Sequence, residues 1–237
     1  MNLYFEQLHS LLNDVEASEL PKMTALAVEI VDRLQAGGII QLFGSGHSTL
    51  LAQDGHFRSG GLVPVKAIQI EPLMLHKGAL LSSANEKQAG FLAQHQQDIQ
   101  LEAADVCIII STSAKNPAPL DMAYLAKEAG ALTISLQSLA YTDMASNHVS
   151  GKRLEEVVDV VLDTHVPVGD GVLALDGLQY GPVSTVLGAA ILNALYGAVI
   201  EELAARNIEL PVFGSSNIQT TTTNESLIEH YGRRIHF

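Results

Sequence analysis

The sequence predicts an α/β protein, a three-layer α/β/α sandwich built on a mainly parallel sheet of about five strands. Three observations carry this. Short runs with strand character alternate with helical patterns along the 237 residues. Several runs are continuously apolar, Val106-Cys107-Ile108-Ile109-Ile110 most plainly, and a strand apolar on both faces belongs in a sheet covered on both. At 47% hydrophobic residues, the chain can bury a substantial core and is not disordered.

Taken in order, residues 3–17 and 22–36 predict two helices. In the second, Leu26, Ala27, Ile30, Val31 and Leu34 recur at helical spacing, and Gly37-Gly38 stops it. Residues 39–43 predict the first strand and 47–58 a helix. Val63 to Ile70 predicts a second strand, which Pro64 confines to its start or to a sheet edge. A polar helix is expected over 86–100, and the clearest strand runs from Asp105 to Ser111. A helix over 118–129 ends at Gly130. Leu132–Leu136 and Val157–Leu162 complete five strands, and a long apolar helix covers 183–206. From 211 the chain is polar, with Thr220–Thr223 in a row. No linker or repeat divides it, so one domain is expected over 1–237, with N-terminal helices, a C-terminal helix and a polar tail.

The formal net charge of −13, with no Lys/Arg cluster, argues against a nucleic-acid partner. The single cysteine, Cys107, allows no intramolecular disulfide; it reads as a buried core thiol and fits a cytoplasmic protein. Glu6, Asp14 and Glu16 without a basic segment give no sign of a leader. Gly181 to Ile200 lacks charge, but Pro182, Ser184, Thr185, Asn193 and Tyr196 interrupt it, and Glu201-Glu202 follow without basic flanks. It reads as a helix buried in the core or at a subunit interface, not as a membrane span.

Two loops carry chemistry. The first strand runs into Gly44-Ser45-Gly46-His47-Ser48, and a helix begins at once. Ligands of open parallel sheets bind beyond the carboxyl ends of the strands, where the next helix presents unpaired N–H groups. Glycines there allow close backbone approach, and serines add hydroxyl donors. Taken alone, the loop fits an anion cradle and a capped turn equally well. It is neither a dinucleotide fingerprint, since Thr49 stands where a third glycine is needed, nor a Walker loop. The strongest strand ends in a second such loop, Ser111-Thr112-Ser113-Ala114-Lys115-Asn116. Two loops of this kind in one sheet suggest convergence on a single anion.

A first strand ending in GSGxS, and a later one ending in STS with Asn shortly after, resemble the sugar isomerase (SIS) domain over roughly residues 22–206. The resemblance implies a flavodoxin- or Rossmann-like sandwich that binds phosphorylated sugars. The chain is most similar to stand-alone bacterial SIS proteins, including members of the N-acetylglucosamine-6-phosphate dehydratase type. Carried over, Gly44, Ser45, Gly46, His47 and Ser48, with Ser111, Thr112 and Ser113, would hold the phosphate, and Asn116 would support the second loop. The family usually pairs, which implies a homodimer with part of the site shared. Phosphoheptose isomerases of the family carry a catalytic glutamate on the helix after the first loop. Here that stretch, Leu50 to Arg58, has none, so phosphoheptose isomerisation does not follow.

Isomerisation or dehydration of an open-chain sugar phosphate begins with removal of a proton beside the carbonyl. Glu71, Glu86, His56 and His76 are the candidate acids and bases. No HExxH or cysteine cluster is present, and His47 and His56 lack i,i+4 spacing, so neither metal nor organic cofactor is expected. Asp170 reads as a structural loop acid, and Asn217 and Asn224 could complete a site from the tail. The rival readings are a sugar-phosphate sensor without chemistry and a Rossmann-like nucleotide binder.

Overall fold

The computed structural model describes residues 3–215, 217 and 224–237. Five strands form one parallel sheet: β1 (Ile40–Gly44), β2 (Val65–Ala67), β3 (Val106–Ile110), β4 (Leu132–Gln137) and β5 (Val160–Asp163), in the order β2-β1-β3-β4-β5. Every residue of β1, β3 and β4 is buried, as the apolar runs require. Alternation along β3 splits the core. Val106, Ile108 and Ile110 face one hydrophobic cluster, and Cys107 and Ile109 face the other. Burial pushes the Cys107 thiol up to about 12, so it is an inert core group.

The first layer is α1 (Leu3–Gln35) packed along α5 (Ser184–Ala205). The expected helices over 3–17 and 22–36 are one helix that runs straight through Pro21. Proline removes one N–H and crowds the preceding turn, but long-range contacts hold both flanks. Glu19 is buried, pairs with Lys22 and accepts the Asp163 amide at 3.2 Å. Met23, Leu26, Ala27, Ile30 and Val31 pack into the core just beyond. α5 is long and apolar enough to cross a membrane by composition, yet it buries Leu187, Ile191, Leu192, Leu195 and Val199 inside the fold.

α2 (Ser48–Asp54), α3 (Ala79–Glu86), α4 (Pro117–Glu128) and α6 (Asn224–Tyr231) are the remaining α-helices among the described residues. α2 is shorter than expected and ends at Asp54 with Gly55 as its C-cap, where a Cβ would sit 2.8 and 2.9 Å from the side chains of Leu42 and Tyr196. The helix expected over 86–100 is displaced. α3 ends at Glu86, and Phe91–Asp98 makes only 3₁₀ turns, broken at His95. Gly90 is left-handed there, and only Phe91 and Leu92 are buried to hold a helix in place. The second strand shrinks to three residues and lies at the sheet edge, where Pro64 can be accommodated. The polar tail returns to the fold: Val212 bridges Leu62, and Leu227 of α6 packs with Val63 and Phe213. Thr220–Thr223 lie outside the described residues.

One element was not expected, the hairpin β6 (Gly171–Leu175) and β7 (Leu178–Pro182). Its turn residues Asp176 and Gly177 both have positive φ, 49° and 80°. Asp-Gly is a strong short hairpin signal, and it stands in the sequence between the apolar run Val172–Leu175 and Leu178.

Candidate active site

β1 and β3 are neighbours in register, Gly44 beside Ile110. The loops that leave them therefore emerge side by side at the carboxyl edge of the sheet. Between them lies a cleft of two lobes, about 390 and 400 Å³, with Ser48, Thr112 and Asp170 lining both. The smaller lobe is also lined by Ser45, Ser111, Ser113, Asn116 and Glu86. The larger one has His47 at its mouth and an apolar floor of Leu51, Ile110, Leu136 and Gly188.

The first loop needs its glycines. A Cβ on Gly44 would sit 2.6 Å from the carbonyl group of Ser48, and Gly46 has φ +56°. Three amides of this turn bond within the protein: Gly46 donates to Leu73 O at 2.9 Å, Ser48 to Ser45 O and Thr49 to Gly46 O. His47 stands at the helix N-cap without a side-chain bond, and Ser48 is the first residue of α2. Side-chain hydroxyls line the lobe beside this turn, with Ser45 and Ser111 themselves largely buried.

The second loop is braced from outside. Arg153, buried and paired with Glu155, donates to Ser113 O and to Met144 O, each at 2.8 Å. Leu154 N–H binds Ala114 O, Ser138 N–H binds Thr112 O, and Asn147 N–H binds Lys115 O. Ala114 is held at φ +54° with no exposure, and its amide donates to Ser111 Oγ at 3.3 Å.

Of the four candidate acids and bases, the structure brings one into the cleft. Glu86, the last residue of α3, accepts a hydrogen bond from Asn116 Nδ2 at 2.9 Å. Glu71 lies outside both lobes and pairs with Lys77 at 2.7 Å; that hydrogen bond and charge hold its carboxyl below the ordinary value. His76 is exposed beside it. His56 is turned to Val65 O at 3.0 Å, stacks on Phe237, and lines a separate hollow with Lys66 and His236. Asn224 binds Gly214 through both its side-chain oxygen and nitrogen, and neither it nor Asn217 lines the cleft.

Some cleft residues escaped the sequence reading. Lys87 supplies a cation to the smaller lobe and binds Ser83 Oγ at 3.1 Å. Asp170, expected as a structural loop acid, accepts from Val183 N, Ser184 N and Ser184 Oγ and so caps α5; its place in the lining of both lobes was not expected. Thr164 lines the larger lobe with its buried hydroxyl unpartnered. No local signal marks Asp170, whose partners lie thirteen and fourteen residues on. Among the described residues, no cluster of His, Cys, Asp and Glu is arranged to hold a metal ion.

A five-stranded parallel sandwich with hydroxyl loops at adjacent strand ends defines an open-sheet α/β protein whose candidate site lies at the carboxyl edge of the sheet. The SIS domain matches residues 3–138, and the chain belongs to that family. Its relatives include the UPF0309 protein in the nagA 3′ region of Lysinibacillus sphaericus, 60% identical over 237 residues, covering 100% of this chain and 98% of that one. A UPF0309 protein of Halalkalibacterium halodurans is 43% identical over 236 residues, covering 98% and 94%. The fold is shared with a phosphoheptose isomerase from Neisseria gonorrhoeae (TM-score 0.55, 16% identity, 83% of this chain and 95% of that one). It is shared also with the Vibrio vulnificus NanR protein solved with ManNAc-6P (TM-score 0.51, 16% identity, 87% and 64%).

Proposed function

We propose that this chain is an enzyme that binds a sugar phosphate in the cleft and removes the proton beside its carbonyl group. The observation that carries this is the meeting of hydroxyls from two strand ends with the Glu86 carboxylate in a single lobe, whose other carboxylate, Asp170, caps α5. Ser45, Ser48, Ser111, Thr112 and Ser113 are the phosphate donors, and Lys87 offsets its charge. Glu86 takes the proton as the C–H bond breaks, and the electron pair moves to the carbonyl oxygen, giving an enediol. Returning the proton to the neighbouring carbon completes an isomerisation. Expelling a hydroxyl from the next carbon as water completes a dehydration. An amino-sugar 6-phosphate is the preferred substrate class, and the cytoplasm the preferred location.

We also assign a homodimer. α5 leaves Asn193 and Ala194 exposed, and a Cβ on Gly197 would meet nothing within 4 Å. Small side chains of this kind let a second helix approach closely. Light scattering that gives a stable monomer would defeat the assignment.

The test is thermal stability with and without glucosamine 6-phosphate, N-acetylglucosamine 6-phosphate, fructose 6-phosphate and sedoheptulose 7-phosphate. A ligand at 100 times its Kd adds about 2.7 kcal/mol, roughly 5–10 °C for a chain of this size. A selective rise that disappears in Ser45→Ala and Ser111→Ala supports the reading. A rise with NAD or ATP alone overturns it. The rival reading, a sensor with the same cleft and no chemistry, predicts binding without exchange of the sugar's proton into deuterated water.

A further inference from the structure

The side chain of Asn147, which lines neither lobe, is bonded to a residue that does. A primary amide has one accepting end and one donating end, so fixing one end of Asn116 fixes the other. Asn147 Nδ2 donates to Asn116 Oδ1 at 2.8 Å. Asn116 Nδ2 must then face Glu86, and it does, at 2.9 Å from Oε1. Oε1 is therefore committed as an acceptor, and the proton that Glu86 takes up falls to Oε2.

We propose that Asn147 is a positioning residue for proton transfer: through the Asn116 amide it assigns the two Glu86 oxygens their roles. The inference rests on Glu86 being the base, as proposed above. The backbone makes it separable from loop structure. Asn147 N–H binds Lys115 O at 2.8 Å whatever the side chain, so the loop stays tied when the side chain is changed. With Asn147→Asp, the donor becomes an acceptor that meets Asn116 Oδ1. The Asn116 amide then turns over and presents its oxygen to Glu86, an acceptor facing an acceptor.

The experiment follows deuterium exchange at the carbon beside the carbonyl by NMR, using the full chain in deuterated water and the four sugar phosphates named above. For the sugar that exchanges fastest, Asn147→Asp and the uncharged Asn147→Leu are expected to lower kcat about 10- to 100-fold. KM is expected to stay within about 2-fold, because uniform binding is untouched. Asn147→Gln, which keeps a donor, is expected to recover most of the rate. Melting temperatures of all three variants are measured alongside, and Asn147→Leu decides if Asn147→Asp fails to fold. If Glu86→Gln abolishes exchange and neither donor-removing variant slows it, Asn147 has no positioning role, while Glu86 keeps its own. If kcat and KM change together, or Asn147→Gln is as slow as the others, the inference is equally overturned. If the wild-type chain exchanges none of the four sugars, the reading of the site falls and this inference with it.

Discussion

In the β1–α2 loop, the turn is made by residues within the turn. Gly44 lets Ser48 close on it, Gly46 takes the left-handed conformation, and three amides bond inside the loop or to Leu73. In the β3–α4 loop, the left-handed position is an alanine, and the turn is held by Arg153, forty residues on from the Ser113 carbonyl it binds. Both loops present hydroxyls to the same lobe. The contrast shows two ways to fix a hydroxyl-bearing loop: local backbone permissiveness, or a backbone clamped by distant partners. The first resists loss of any neighbour. The second depends on distant partners, with the buried Arg153 side chain joined by the amides of Ser138, Asn147 and Leu154.

That dependence sets the largest expected effect. Arg153→Ala leaves Glu155 without its cation, with only the Gln137 amide still donating to it, and takes the Arg153 donor from two carbonyls. Breaking a buried pair from one side costs about 3 kcal/mol, read as a fall in urea stability, and sugar-phosphate stabilisation should vanish with it. Arg153→Lys should recover only part, since one ammonium cannot span the Ser113 and Met144 carbonyls as the guanidinium fork does. If Arg153→Ala is as stable as wild type and still binds, the second loop is held locally after all.

Gly44→Ala comes next. Its methyl would meet backbone of Ser48, which cannot swing away as a side-chain tip would. Overpacking of this kind costs about 2 kcal/mol, and it should push α2 off the cleft. Urea melts that show less than about 0.5 kcal/mol of loss, with ligand stabilisation intact, would mean that the loop gives way easily and that glycine is not required there.

The same contrast explains what could be seen in the sequence. The first loop was legible because its physics is local: Gly44, Ser45, Gly46 and Ser48 carry their own reasons. The central strands were legible for a similar cause, since burial on both faces demands a continuous apolar run. Arg153 was not legible, because nothing near it in sequence says which carbonyls it will meet. Glu86 and Glu71 could not be ranked from composition either. What separates them is that α3 turns one into the cleft while Lys77 holds the other outside. The helix through Pro21 failed for the same reason in reverse: a local stop signal was outweighed by long-range contacts at Glu19 and Met23.

The smallest effects test the comparison most sharply, because they exchange the two left-handed residues. Gly46→Ala puts a methyl where only Ser82 Oγ lies near, at 3.9 Å, so its cost is the backbone alone. A left-handed L-residue costs about 1 kcal/mol, and stability should fall by that amount in a urea melt. Ala114→Gly relieves the same backbone cost in the second loop but removes a fully buried methyl worth about 0.8 kcal/mol. It also frees the unfolded chain, which costs roughly another 0.5 kcal/mol. The three terms nearly cancel, so Ala114→Gly should stay within about 0.5 kcal/mol of wild type. A gain of more than about 1 kcal/mol would mean that the clamp around Ala114 holds strain beyond the ordinary left-handed penalty. A loss of that size would mean that the buried methyl, and not Arg153, keeps the second loop closed.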